Sequence, residues 1–296
     1  MASSELYPAI ISAAKALSPV YDHAWNECRA NFVLSTKELD LLLAVPTFEP
    51  SPISASLLTI RSPYTSPNLY EATLSNLAQL GYLVAAEPGG YLLSTQGLQT
   101  IRTAVNAVYA SLGSIQPLEV TKMMDLGSRL CELADACLNA PDPPGTWSIQ
   151  HTHRLDPGNK VPMMARIDQF PSELCAFRDD AHLAAWRAYE TSGHAWDILT
   201  YLWQNNSANA SQINLTLARR GNSLETTFKA VDHLVHEGWV VKKDDSLLIT
   251  PFGIEIRQTA EETTERFFLA PFKYFPDDYL TQTVSLLDEF RRSVTN

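Results

Sequence analysis

Three residues in the second half of this chain have types and spacing suited to proton or metal chemistry: Asp179, Asp180 and His182. A carboxylate one to three residues from a histidine can orient the imidazole or share a metal with it. The competing reading is structural. Asp179 and Asp180 then sit in the first turn of a helix, where carboxylates favour the dipole, and His182 packs with Trp186 one turn on. His151-x-His153, with Asp156 following, has ligand spacing if the segment is extended, because i and i+2 then share a side. No cysteine or glutamate cluster accompanies it, so packing or solvation is expected there. His233 and His236 are three apart on a predicted helix, a spacing that requires no metal. The chain has no G-x-S-x-G, no H-E-x-x-H and no P-loop, and no glycine-rich loop follows a strand. No catalytic residue, metal ligand or cofactor is assigned, and an enzyme is not expected.

The elements that must position any site are written twice. Residues 69–104 and 224–260 align when Gly81 is set on Gly238, an offset of 157 residues. Leu77 then falls on Leu234, Leu74 on Val231, Tyr82 on Trp239 and Val84 on Val241. After a one-residue gap Ser94 falls on Thr250, Gly97 on Gly253 and Ala104 on Ala260. Self-similarity of this length describes architecture.

In the second copy a short helical stretch, 211–219, is broken by Gly221 and Asn222, which tolerate left-handed backbone. Ser223 is a suitable N-cap for a second helix in which Phe228, Val231 and Val235 are expected to face the core. Gly238 stops that helix. Two β-type runs follow, 239–242 and 246–250, and a helix opens at Pro251. Helix, turn, helix, hairpin, helix is the winged helix-turn-helix order. The first copy repeats it, with helices at 53–59 and 69–80, a wing around 87–90, and a closing helix from Gln96.

The residues Leu74, Leu77, Gly81, Tyr82, Leu83 and Val84, followed by Leu92, Leu93, Ser94 and Gly97, form a signature that the second copy shares. That signature resembles the winged-helix domain of MarR-type bacterial regulators. The resemblance covers 35–110 and 193–268, about half the chain. It implies a mostly α fold with small β-wings, in which two winged helix-turn-helix units flank a central helical layer. MarR-type proteins are normally two-fold dimers, so it also implies a fused pseudo-dimer in one chain. The same unit also serves as a dimerisation module in small-molecule methyltransferases. Stretches 163–186 and 263–272 look like segments of uncharacterised bacterial double-winged-helix proteins.

The expected organisation has three parts. Residues 1–138 hold N-terminal helices, the first winged helix and long dimerisation-type helices. Residues 139–162, with five prolines and two glycines, form the connection. Residues 163–296 hold the second winged helix and its flanking helices. The helical patterns at 118–138 and 279–292 are expected in the central layer, where they could pair.

The net charge is −11, the wrong sign for a chain dominated by phosphate contacts. The distribution is uneven. Residues 210–243 carry five cations against three anions, whereas 51–86 carry only Arg61 and Glu71. If duplex DNA is the partner, the second unit is expected to dominate. Thr226, Lys229 and His233 are then the candidate base-facing residues, and Arg219, Arg220, Lys242 and Lys243 the candidate phosphate contacts. Trp186, Tyr189, Trp196, Tyr201 and Trp203 crowd into eighteen residues. They read either as core or as the wall of a pocket for a small apolar or aromatic effector, which MarR-type regulators bind near the junction with the dimerisation helices. The alternative function is a winged-helix scaffold that has lost DNA binding. Four scattered cysteines fit a reducing, cytoplasmic setting. No apolar run is long enough to span a membrane, and a monomer is expected.

Overall fold

The computed structural model of the protein describes residues 2–141 and 145–295. Its first half runs α1 (Ala2–Phe32), α2 (Thr36–Ala44), α3 (Ala55–Arg61), α4 (Pro67–Gln79), β1 (Leu83–Ala85), β2 (Tyr91–Leu93), α5 (Thr95–Gly113) and α6 (Val120–Leu138). After α7 (Trp147–His153) the second half runs α8 (Met163–Arg187), α9 (Gly193–Asn205), β3 (Ser207–Ala208), α10 (Ala210–Thr216), α11 (Leu224–His236), β4 (Val240–Lys243), β5 (Ser246–Ile249), α12 (Pro251–Leu269) and α13 (Asp277–Thr295). The fold is mostly α, with two small antiparallel sheets, ordered β1-β2 and β3-β5-β4.

Each wing is locked to its closing helix by the same chemistry. Ser94 Oγ accepts from Gly97 N at 2.9 Å and donates to Gly81 O at 2.6 Å. Thr250 Oγ1 accepts from Gly253 N at 3.0 Å and donates to Gly238 O at 2.8 Å. The hydroxyl thus caps the helix and holds the preceding helix stop. Gly81 and Gly238 have φ of +84° and +73°, as their place at a helix end requires. A Cβ at Gly253 would lie 2.2 Å from Trp239 O, and one at Gly97 2.2 Å from Tyr82 O. We therefore expect Gly253→Ala to cost about 2 kcal/mol or more and Gly238→Ala about 1 kcal/mol. Urea melts in which Gly253→Ala is as stable as wild type would overturn this account of the motif.

The long helices cross between halves. α1 packs along α13 and α5, and α8 packs along α6 and α12. α1 and α8 each cover the closing helix of the winged helix in their own half and reach a long helix of the other half. The expected pairing of 118–138 with 279–292 is present only as a flank. There Lys122 Nζ meets Glu289 Oε1 at 2.6 Å, and Arg129 Nη1 donates to Tyr279 O at 3.2 Å. The Pro-rich connection contains α7, with Ile149 buried; its residues 142–144 lie outside the described residues. Since His151 and His153 are on a helix, i and i+2 diverge and no shared ligand side exists. His151 stacks on Trp147 and His153 Nδ1 lies 3.0 Å from Glu173 Oε2.

Candidate nucleic-acid interface and effector cavity

The inner face of α11 is Thr227, Ala230, Val231 and Leu234. Phe228, expected in the core, is 48% exposed. The reason is Thr227, whose hydroxyl is satisfied inside by Asn214 Oδ1 at 3.0 Å and His194 Nε2 at 2.9 Å, so a polar residue holds the inward position. Thr226 and Lys229 are exposed, as expected. Thr226 Oγ1 lies 2.9 Å from the N-cap Ser223 Oγ, and Lys229 Nζ is 2.7 Å from Glu225. His233 does not project with them. Its ring leans edge-on against Trp239 at 6.3 Å, and its Nε2 is buried without a partner.

The four candidate phosphate contacts divide. Lys242 and Lys243 are exposed on the wing, Lys242 paired with Asp232 at 2.6 Å, and Asp244 and Asp245 form the exposed tip. Arg219 is exposed beside a cleft it shares with Lys37, Leu69 and Thr73 of the first half. Arg220 is the half-buried member of the four. It bonds Asp197 at 2.9 Å and lies 5.1 Å above the Tyr64 ring. The matching helix of the first unit, α4, offers Glu71, Ala72, Asn76 and Gln79 to solvent, with no cation.

Arg220 belongs to a seam that joins the two turns. Ser66 N donates to Arg220 O at 2.8 Å. Asn222 Nδ2 donates to Tyr64 O at 2.9 Å and to His194 Nδ1 at 3.1 Å. His194 therefore accepts at Nδ1 and donates from Nε2, which fits a neutral ring whose pKa burial lowers. Tyr64, from the first unit, packs against Trp186 and accepts its indole N–H at 3.0 Å. The seam fixes the spacing of α4 and α11. Ser66 precedes α4, and Arg220 lies four residues before α11, so their N-terminal ends are within roughly 20 Å.

The aromatics of 186–203 pack mostly as core. Trp186 and Trp196 are buried and stack at 5.5 Å, Tyr189 stacks on Trp196 at 5.7 Å, and Tyr201 packs against the same core. Arg257 fills the remaining space, 5.2 Å from the Trp196 ring and 5.0 Å from that of Trp203. A cavity of about 510 Å³ lies instead at the first unit, where α2, α3 and α4 meet α7 and α8. Phe48, Tyr70, Trp147 and His151 give it an aromatic wall, and Asp40 and Arg61 are its charged residues.

Asp179, Asp180 and His182 each have a structural partner. Arg61 Nη2 bonds Asp179 at 2.9 Å. Asp180 is buried and accepts from Ser148 N at 2.8 Å and Ile149 N at 3.1 Å, capping α7 from another helix. Both carboxylates lie deep within α8, not in a first turn. His182 Nδ1 lies 3.2 Å from Thr264 Oγ1 and 3.9 Å from Glu261. Burial, then Arg257, holds its pKa down to about 4. An imidazole neutral in the fold and protonated on unfolding contributes stability above pH ~6.5 that is lost as pH falls toward 4. Asp168, raised to about 6 by burial, acts oppositely over the same range. The comparison of variants isolates the histidine: His182→Gln should lose about 2 kcal/mol less than wild type between pH 6.5 and 4.5. Parallel pH profiles would refute the assignment.

Residues 174–296 match the model of a helix-turn-helix family, a span that opens inside α8 and takes in α9 to α13. No curated protein and no solved structure matches the chain. The second half thus carries a helix-turn-helix domain. No helix among the described residues is long and apolar enough to cross a membrane, and among them no three His, Cys, Asp or Glu side chains are grouped to hold a metal ion.

Proposed function

We propose that this chain is a cytoplasmic, ligand-responsive regulator of MarR-like type that meets duplex DNA through its second winged helix. The observation that carries the reading is the joint exposure of Thr226 and Lys229 on α11 and of Lys242 and Lys243 on the adjoining wing. The pairs of Lys229 and Lys242 are open to solvent and therefore weak, so both ammonium groups can turn to phosphate. The recurrence of elements 157 residues apart, and the reciprocal packing of α1 on α13 and α8 on α6, support a fused pseudo-dimer. Its DNA contact differs from that of a two-fold reader. Two recognition helices entering successive major grooves need centres about 34–36 Å apart, and the seam holds the two N-terminal ends closer. On this reading α11 alone enters a groove, because the matching helix α4 carries no cation, and the effector cavity is the one lined by Phe48, Tyr70, Trp147 and His151.

The test is fluorescence anisotropy on a duplex library at low and moderate salt. Lys242→Glu with Lys243→Glu should weaken binding to every sequence and flatten its salt dependence. Thr226→Ala or Lys229→Ala should change sequence preference, and Ser75→Ala or Gln79→Ala should do little. One observation favours a second reading: Leu215, Leu224 and Phe228 on α10 and α11 remain 77%, 39% and 48% exposed. Such a surface suits a protein partner of a scaffold. Absence of salt-dependent binding to any duplex would put the scaffold in place of the regulator.

A further inference from the structure

The polar groups of the cavity between the first winged helix and α7 differ in how far they are already used. Arg61 is spent within the protein. Its Nε and Nη2 both donate to Asp179 Oδ2, at 3.1 and 2.9 Å, and its Nη1 donates to Thr152 Oγ1 at 3.0 Å. The cation is matched by a carboxylate, and three of its N–H groups are already bonded. His151 is used at one nitrogen only. Its Nδ1 lies 2.7 Å from Trp147 O, and a carbonyl only accepts, so Nδ1 carries the proton. The ring is held in that pose by Trp147, stacked at 3.9 Å, and Phe48 at 5.1 Å. Nε2 of the neutral ring is then a fixed acceptor, and burial keeps the ring neutral by lowering its pKa. Asp40 stands exposed at the rim, where two neighbouring clefts also meet it. No cation lies within ion-pair distance of it among the described residues; burial pushes its carboxyl pKa up, and the charge of Arg29 works against this.

We infer that the cavity takes a flat aromatic ligand bearing an N–H donor or ammonium group, and that it discriminates against aromatic carboxylates. The walls supply ring faces for stacking, two open acceptors and no uncommitted cation. A carboxylate would meet Asp40 as a like charge and His151 Nε2 as a second lone pair. An amine finds a charge partner in the first and an acceptor in the second. The volume of about 510 Å³ suits a two-ring molecule.

This inference rests on the cavity being the effector site, and one titration series separates the two claims. Naphthylmethylamine, naphthylmethanol and naphthoate are titrated into the full chain by calorimetry at pH 7. The amine should bind about tenfold or more tighter than naphthoate, with the alcohol between them. Asp40→Asn, a change at an exposed position, should shrink the amine-to-acid ratio about fivefold or more. His151→Phe, which keeps the stack, should weaken the amine and the alcohol and leave naphthoate unchanged or tighter. Naphthoate binding as tightly as the amine, or a ratio unmoved by Asp40→Asn, overturns the ligand class while leaving the cavity as a binding site. Binding of none of the three overturns both claims.

Discussion

Replacing Arg257 with alanine should destabilise the protein by about 3–5 kcal/mol, the range for breaking a buried ion pair. The side chain is 5% exposed. Its Nη2 is 2.6 Å from Glu261 Oε1, and its Nε donates to Thr200 Oγ1 at 3.0 Å. Its guanidinium also lies over the rings of Trp196 and Trp203. Truncation leaves Glu261 half-buried without its closest cation and opens a void beside the indoles. Burial would raise the Glu261 pKa, but Arg257, with His182 and Arg178, more than offsets this, so loss of Arg257 moves that carboxyl upward and His182, which Arg257 holds down, upward as well. Thermal melting should fall by roughly 10 °C. The double change Arg257→Met with Glu261→Gln removes both charges and keeps most of the volume, so it should recover much of the loss. If the double variant is no more stable than Arg257→Ala, the cost lies in packing rather than in the stranded charge.

The second large effect separates two adjacent aspartates. Asp180→Ala should cost about 3 kcal/mol, because the buried amides of Ser148 and Ile149 at the start of α7 then lack an acceptor. Thr146, at the N-cap position, supplies no side-chain bond to replace it. Asp179→Ala should cost about 1 kcal/mol or less, since its pair with Arg61 is substantially open to solvent. α7 carries Trp147 and His151, so Asp180→Ala should also abolish naphthylmethylamine binding. Urea unfolding of the two variants decides it, and equal losses would mean that Asp180 does not hold α7.

The doubled winged-helix order was legible because it depends on local signals: helix stops at Gly81 and Gly238, the break at Gly221 and Asn222 before the cap Ser223, and short β-type runs. The site was less so. Nothing local marks Thr227 as an inward residue; Asn214 and His194, distant in sequence, give its hydroxyl partners inside. Phe228 reads as core on hydrophobicity alone, yet its place on the helix faces solvent. Arg220 looks like any exposed turn cation, because nothing local reveals that Asp197 and Tyr64 close on it. The dense aromatic run at 186–203 reads first as core and second as a pocket wall, and the stacking geometry matches core packing. The cavity draws on residues from Ala14 to Cys175, a separation that no spacing rule spans.

The packing of α1 against α13 has a consequence for how the molecule is made. The surface that Leu6, Ile10, Ala13 and Leu17 bury is completed by residues such as Leu280, Leu287 and Phe290. These emerge from the ribosome more than 260 residues later. At a synthesis rate of about 5–20 residues per second, the apolar face of α1 waits on the order of tens of seconds for its mate. α6 meets its partner α8 after a far shorter interval. Folding during synthesis should therefore secure the middle of the chain first and the α1–α13 contact last. This late, non-local step is the one most exposed to aggregation, and chaperone dependence should fall on it.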